Sequence, residues 1–213
     1  MWPLPSCRHK DDATAANGSP GVGARAWNSY GGGGRQGGPL RREVEETLRF
    51  CAACGGRLEL RFVAEEGKER LVCRACGRIT YLDPKISACT VPVLDGRILL
   101  ARRGIEPARG RWVFPGGYME RGETVPQAAE RETFEEVGLR VRATRPVGIY
   151  SYPDSVVVVI VYHCEVLGGE PAPNSETLEV RLFSPDEIPW DELAFPSTRD
   201  ALRDFLAQWG RQA

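Results

Sequence analysis

Short apolar segments rich in β-branched residues recur along the C-terminal two thirds of the chain and predict β-strands. They cover residues 86–103, 141–153, 155–167 and 179–184. The first is interrupted by Asp95-Gly96, a dipeptide typical of tight hairpins, and therefore predicts two paired strands. The third carries so many β-branched residues that we expect it in the middle of a sheet.

A helix is predicted between Thr124 and Gly138. Thr124 followed three positions later by Gln127 is a capping-box pattern, and glycine is typical of the position just after a helix. Phe134 and Val137 are expected to point from this helix towards the core.

The C-terminal segment STRDALRDFLAQWG predicts a second helix, capped by Ser197 or Thr198. Its apolar residues share one face, which we expect to pack on the rest of the domain: Leu202, Phe205, Leu206 and Trp209. Strands and helices mixed in this way predict an α/β fold.

The chain is predicted to consist of three parts. Residues 1–47 have no apolar period and are rich in Gly, Ser and Pro, so we expect a disordered tail or linker. Residues 48–81 form a small unit framed by paired cysteines, and residues 82–213 form the larger domain.

Charge and cysteine usage exclude several classes of protein. The 28 basic and 29 acidic side chains argue against a general nucleic-acid or anionic-membrane binder. The longest apolar run, residues 156–162, is too short to cross a membrane, and Met1 is not followed by the apolar core of a signal peptide. Seven cysteines in 213 residues do not suggest a secreted disulfide framework, so we expect a cytoplasmic location. The N-terminal tail leaves an organellar location open.

Four cysteines form the pattern C-x2-C-x18-C-x2-C, which is typical of a zinc ribbon. Two such turns at the ends of a hairpin bring four thiolates together as a tetrahedron. The ligands would be Cys51, Cys54, Cys73 and Cys76. Two redox-active pairs or two disulfides are the alternatives. Because four thiolates leave no open coordination position, we expect the zinc to be structural.

Acidic residues are crowded on the first predicted helix. Glu132, Glu135 and Glu136 stand at i, i+3 and i+4 and share one face, where like charges repel. A divalent cation such as Mg2+, which prefers oxygen ligands and substrate phosphates, would reverse the sign of that interaction. A solvated acidic face is the alternative.

A longer pattern around these glutamates resembles the Nudix hydrolase family. Residues 117–139 match the Nudix box, G-x5-E-x7-R-E-U-x-E-E-x-G-U, at every fixed position. Thr133 departs from it, because a bulky aliphatic residue is usual there. The resemblance implies an α/β/α sandwich with a mixed sheet, here preceded by the zinc-ribbon hairpin.

The resemblance also implies roles for individual residues. Mg2+ or Mn2+ would be held by the three glutamates and by the backbone carbonyl of Gly116, for attack of activated water on a diphosphate. Gly117, Glu123 and Arg131 would support these ligands, Arg131 counting among the catalytic residues. The general base would be Glu135 or Glu176, with Glu179 a weaker candidate.

Features outside the box resemble one branch of the family, the plant FAD diphosphatases and their bacterial relatives. They are YLDPKI, GRWVFPGGY and LFSPDEIPWDELAFPST. The stretch typical of NADH pyrophosphatases is absent after the box. The expected reaction is hydrolysis of the diphosphate bond in FAD or ADP-ribose, a dinucleotide-type small molecule. Tyr118, and Tyr81 from the other subunit of a homodimer, would stack on the substrate base.

Other functions stay open. NADH pyrophosphatase or decapping of NAD-capped RNA is the alternative within the family. A non-catalytic sensor of ADP-ribose or NAD is the alternative from another class, although binding alone does not require all the box glutamates.

Overall fold

A computed structural model describes residues 48–153 and 155–209. All of them belong to one compact unit. The predicted tail, residues 1–47, lies outside the described residues. None of the helices in the described part of the chain is long and apolar enough to span a membrane.

The N-terminal unit is a three-stranded antiparallel sheet. Its strands are β1 (Leu58–Val63), β2 (Lys68–Cys73) and β3 (Ile79–Thr80), in the order β1-β2-β3. Leu58 pairs with Cys73 and Val63 with Lys68, so the β1–β2 hairpin is fully in register. The hairpin brings the two ends of the cysteine pattern together.

Two four-stranded sheets and two helices form the larger part. The strands are β4 (Lys85–Val91), β5 (Val93–Leu94), β6 (Arg97–Arg103), β7 (Trp112–Val113), β8 (Gly116–Tyr118), β9 (Arg140–Tyr150), β10 (Val157–Gly168) and β11 (Thr177–Phe183). The helices are α1 (Val125–Val137) and α2 (Pro196–Trp209), with a 3-10 turn at Trp190–Glu192.

One sheet has the order β8-β4-β10-β9 and is mixed, because β10 runs parallel to β4 and antiparallel to β9. The other has the order β11-β6-β5, with β7 also paired to β6. The predicted hairpin is confirmed: Val93 pairs with Ile98 around Asp95-Gly96, both of which have positive φ as a type I′ turn requires.

The helices pack on opposite faces of the mixed sheet. On β4, Ala88 packs against Ala128 and Ala129 of α1, whereas Cys89 and Val91 join the core that contains Leu202 and Phe205 of α2. This alternation follows from the two-residue period of a strand. The predicted α/β class is confirmed.

The ends of both helices reflect local chemistry. Thr124 and Gln127 form the predicted capping box, and Gly138 ends α1 in the left-handed conformation with φ of 75°. For α2 the predicted cap is wrong. Pro196 opens the helix, since proline is favoured in a first turn, and Ser197 and Thr198 are buried inside it.

The predicted inward face of α1 is also partly wrong. Val137 is buried, but Phe134 is 54% exposed. The buried stripe runs through Ala129, Thr133 and Val137, at i, i+4 and i+8. Thr133 therefore takes the core position that the sequence prediction gave to Phe134.

Candidate metal centres and active site

The four cysteines of the N-terminal unit converge on one point. Their sulfur atoms all lie within 4.8 Å of one another, the only such group of three or more metal-ligating side chains among the described residues. The Sγ atoms of Cys51 and Cys76 are 3.9 Å apart, and those of Cys54 and Cys73 are 3.4 Å apart. A tetrahedral zinc with Zn–S bonds of about 2.3 Å needs sulfurs about 3.8 Å apart. The cysteine cluster therefore fits a zinc ion.

Backbone geometry shapes this cluster. Gly55 and Gly77 each have φ of +71° and donate their amides to the carbonyls of Cys51 and Cys73. A hydrogen bond from the amide of Cys76 lowers the pKa of Cys73 to about 6, against the opposing effect of burial. The thiolate, which is the metal-binding form, is thereby favoured.

The disulfide and redox alternatives fit less well. All four thiols are free, and both short contacts join one C-x2-C turn to the other. A redox C-x2-C pair would instead face its own partner within one turn.

The second centre lies where α1 meets the glycine turn of β8. The carboxylate of Glu136 accepts a hydrogen bond of 2.9 Å from the amide of Gly116. The carboxylate of Glu132 lies directly against Gly117, where an added Cβ would come within 2.6 Å of its oxygens. Only glycine fits at this point, because the carboxylate occupies the space of a side chain.

Arg131 holds the surrounding carboxylates. Its guanidinium donates to Glu123 at 2.8 and 3.0 Å, to Glu132 at 2.9 Å and to Glu135 at 2.9 Å. It also donates to the carbonyl of Tyr118 at 3.1 Å. One side chain thus links α1 to the turn before it and to β8.

The pKa values of the carboxylates in this centre are strongly shifted. The hydrogen bond from Arg131 lowers the pKa of Glu123 to about 2. Burial raises the pKa of Glu136 to about 7, and the neighbouring charges of Glu132 and Glu176 act in the same direction. A bound cation would offset both the burial of this half-buried carboxylate and the repulsion from the two others. The carboxylate group therefore fits a hard divalent ion such as Mg2+ or Mn2+.

The loop before β11 brings Glu176 to the same centre. Asn174 donates to the carbonyl of Glu135 at 2.6 Å and accepts from the amide of Glu176 at 2.8 Å. The carbonyl of Glu176 accepts from Gly104 at 2.6 Å. Glu179 is instead paired with Arg102 at 3.6 Å. Of Glu176 in this loop and Glu179 in β11, Glu176 is the one whose charge acts on Glu136.

The two candidate aromatic residues lie in different surroundings. Tyr118 follows the glycine turn, is 51% exposed, and has the ammonium of Lys85 at 4.9 Å from its ring centre. Tyr81 donates its hydroxyl to Glu66 at 2.7 Å and lies under Arg70. Tyr118 thus adjoins the carboxylate centre, whereas Tyr81 packs on the ribbon hairpin.

Sequence reasoning missed Arg103, at the end of β6. Its guanidinium lies 5.1 Å from the ring centre of Phe195, and its Nε donates to the carbonyl of Pro107 at 2.8 Å. Its positive charge lowers the pKa of Glu136. No carboxylate of the described residues lies within salt-bridge distance of it. The sequence did offer one signal for Arg103, which is a cationic residue at the end of a buried strand and directly before Gly104.

Comparisons with known proteins agree with this geometry. The family model described as NUDIX domain matches residues 83–205, and the model described as Nudix N-terminal matches residues 49–82. An ADP-ribose pyrophosphatase of Methanocaldococcus jannaschii is 34% identical over 130 residues, which cover 59% of this chain and 75% of the relative.

A second relative is the NAD-capped RNA hydrolase NudC of Stutzerimonas stutzeri, 34% identical over 143 residues. The match covers 66% of this chain but only 50% of that hydrolase. Among solved structures, a Nudix hydrolase from Nitrosomonas europaea superposes with a TM-score of 0.70 at 38% identity, covering 73% of this chain and 89% of the other.

Proposed function

Since the chain belongs to the Nudix hydrolases and carries their N-terminal zinc-ribbon unit, we propose that it hydrolyses a diphosphate bond in a metal-dependent reaction. The substrate is a nucleoside diphosphate linked to another moiety. The observation that carries this proposal is the half-buried Glu136 carboxylate, hydrogen-bonded to Gly116 and close enough to Glu132 and Glu176 for their charges to act on it.

The catalytic ion is Mg2+ or Mn2+, held by Glu132, Glu135, Glu136 and the carbonyl of Gly116. When bound, such an ion lowers the pKa of a water molecule and neutralises charge on the phosphates. Arg131 and Glu123 orient the carboxylates. Arg131 does this by hydrogen bonds to Glu123, Glu132 and Glu135.

Glu176 is the general base in this proposal. Its backbone is fixed on both sides, by Gly104 and Asn174, while its charge acts on Glu136. Glu135 is the weaker candidate, because Arg131 already engages its carboxylate and 56% of its side chain is exposed. A general base must lie within hydrogen-bond reach of the attacking water.

The adenosine half of the substrate stacks on Tyr118, and the far half extends towards Arg103 and Phe195. ADP-ribose is supported by the Methanocaldococcus jannaschii relative, and FAD by the resemblance of the segment LFSPDEIPWDELAFPST. A guanidinium stacked on an aromatic ring offers both a phosphate donor and a flat surface. FAD and ADP-ribose differ in the half that would contact this subsite.

A second candidate function is hydrolysis of NADH or NAD-capped RNA. It is favoured by the similarity to the NAD-capped RNA hydrolase. The balanced charge of the chain speaks against an RNA-binding groove.

The cysteine cluster binds one structural zinc ion in this proposal. Four thiolates leave no coordination position for substrate, so the ion contributes folding free energy to a unit with a small core. A homodimer in which Tyr81 reaches the partner's substrate stays a prediction.

The test is a panel of FAD, ADP-ribose, NADH and NAD-capped RNA, assayed with Mg2+ and with chelator, with products separated by chromatography. We expect AMP together with FMN or ribose 5-phosphate, only when Mg2+ is present. A higher kcat/KM for NADH than for FAD and ADP-ribose would show that the branch assignment is wrong. Tight binding of ADP-ribose without turnover would identify a sensor instead.

A further inference from the structure

A pair of buried hydroxyl groups links α1 to the centre of the mixed sheet. Thr90 of β4 and Thr133 of α1 are both fully buried, and their Oγ1 atoms are 2.7 Å apart. Thr133 stands where the Nudix box usually has an aliphatic residue. The hydroxyl at this position is therefore a property of this chain and not of the motif.

The direction of the hydrogen bond follows from the number of protons. Thr133 donates its only hydroxyl proton to the carbonyl of Ala129 at 2.7 Å. Thr90 must therefore donate to Thr133, because a threonine hydroxyl has one proton. The result is a directional chain from the sheet to the backbone of the helix.

Thr90 also holds the glycine turn on which the carboxylate centre is built. Its amide donates to the carbonyl of Pro115 at 3.1 Å. The neighbouring Cys89 pairs with Gly116 and lies so close that a Cβ on Gly116 would come within 2.6 Å of it. Two consecutive residues of β4 thus fix the turn that contains Gly116.

Thr133 is adjacent to Glu132 and three positions before Glu136. The Glu136 carboxylate must reach the Gly116 amide at 2.9 Å, and this distance depends on how α1 is rotated and shifted against β4. An aliphatic side chain packs without a preferred direction, whereas a hydrogen bond has a narrow range of distance and angle.

We propose that the Thr90–Thr133 hydrogen bond is a positioning device for the metal-binding carboxylates. It sets the register of α1 against the Gly116 turn and so preorganises Glu132 and Glu136 for a divalent ion. This inference rests on the proposed function, because it takes the carboxylates of α1 as the metal site.

The experiment measures Mn2+ binding by the loss of the free-ion signal in electron paramagnetic resonance, which needs no turnover. Thr133→Val removes the hydroxyl and keeps the shape, whereas Thr133→Ser keeps the hydroxyl and removes a methyl group. We expect Thr133→Val and Thr90→Val each to raise the Mn2+ dissociation constant about three- to fivefold, because α1 loses its fixed register and the free energy of one net hydrogen bond sets the upper bound. Thr133→Ser should stay within about twofold of wild type.

Two further variants make the result specific. Since either single change to valine already removes the bond, the double variant Thr90→Val/Thr133→Val should bind Mn2+ no more weakly than either single variant. Thr144→Val is the control, because its exposed hydroxyl bonds the carbonyl of His163 on β10 and not a group of α1. Thermal unfolding of every variant separates loss of positioning from loss of fold.

The inference is overturned if Thr133→Val binds Mn2+ like wild type, if Thr133→Ser weakens binding as much as Thr133→Val, or if the two valine changes add. Glu136→Gln separates this failure from that of the proposed function. If wild type binds no more Mn2+ than Glu136→Gln, the carboxylate assignment itself is wrong and the inference falls with it.

Discussion

The two candidate metal centres of this protein are built in opposite ways. In the ribbon, four sulfur atoms already converge and their contacts are with one another. On α1, the carboxylates contact other partners: Arg131 bonds Glu132 and Glu135, and the Gly116 amide bonds Glu136. Four ligands that face one another are suited to a permanently bound ion. The carboxylates of α1, which contact other partners, leave coordination positions for a substrate bound to the same ion.

The largest expected effect concerns the closed centre. Cys73→Ser should abolish zinc binding and expose the amides of residues 48–81 to hydrogen exchange, because structural zinc contributes about 10–16 kcal/mol of apparent binding free energy in small zinc domains. Zinc analysis and hydrogen exchange measured by mass spectrometry check this. Ala52→Ser, on an exposed residue of the other C-x2-C turn, is the control. Full zinc content in Cys73→Ser would contradict the four-thiolate site.

The next effect concerns the open centre. Glu136→Gln keeps the shape of the side chain but removes a metal-binding carboxylate, so kcat should fall by about 100–1,000-fold, or about 2.7–4 kcal/mol, with little change in unfolding temperature. Zinc content should be unchanged. The exposed Glu120→Gln is the matched control. Near-wild-type turnover of Glu136→Gln at saturating Mg2+ would remove the assignment of these carboxylates.

A smaller effect is expected beside the open centre. Arg103→Ala should raise KM for FAD and ADP-ribose, because a charge-assisted hydrogen bond to phosphate contributes about 1.5–3 kcal/mol. Arg102→Ala, the neighbour that is paired with Glu179, is the control. Steady-state kinetics on both substrates distinguish the two variants. Equal effects of the two substitutions would show that Arg103 has no special contact with substrate.

The smallest effect is a pH dependence of stability. The folded pKa of Glu123 is about 2, whereas an unfolded glutamate has a pKa of about 4.3. A lowered pKa stabilises the fold above the unfolded value, and this contribution is lost as pH falls towards 2. Glu123→Gln should therefore reduce the free energy of unfolding at pH 7, and the difference from wild type should shrink below about pH 4.3.

Urea unfolding at several pH values tests this difference. Glu165→Gln is the control, because its pair with Arg142 is solvent-exposed and such pairs contribute little. If the free energy of unfolding of Glu123→Gln differs from that of wild type by the same amount at every pH, the charge of Glu123 beside Arg131 does not stabilise the fold.

The same contrast explains what could be predicted from the sequence. The four cysteines stand at fixed spacing in two C-x2-C turns, so local geometry was enough to predict a zinc site. The three glutamates on one helix face left a solvated acidic face as the alternative, and the prediction of a metal site there needed the resemblance to the Nudix box. The capping box of α1 and the Asp95-Gly96 hairpin were predictable for the same reason.

Contacts between distant segments were not predictable. Thr90 meets Thr133 across 43 positions, and Arg103 meets Phe195 only after the chain has folded. The exposure of Phe134 has the same origin, since the inward stripe of α1 was decided by the strands on which it packs. The cap of α2 was missed because Pro196 opens the helix ahead of Ser197.

We infer that the thiolate centre maintains the fold and that the carboxylate centre supports the reaction. The most direct test titrates Mg2+ into metal-depleted buffer while zinc content and hydrolysis of ADP-ribose and FAD are measured on one preparation. We expect about one zinc per chain at every point and hydrolysis that rises from background with Mg2+. Hydrolysis that followed zinc content and did not respond to Mg2+ would contradict it.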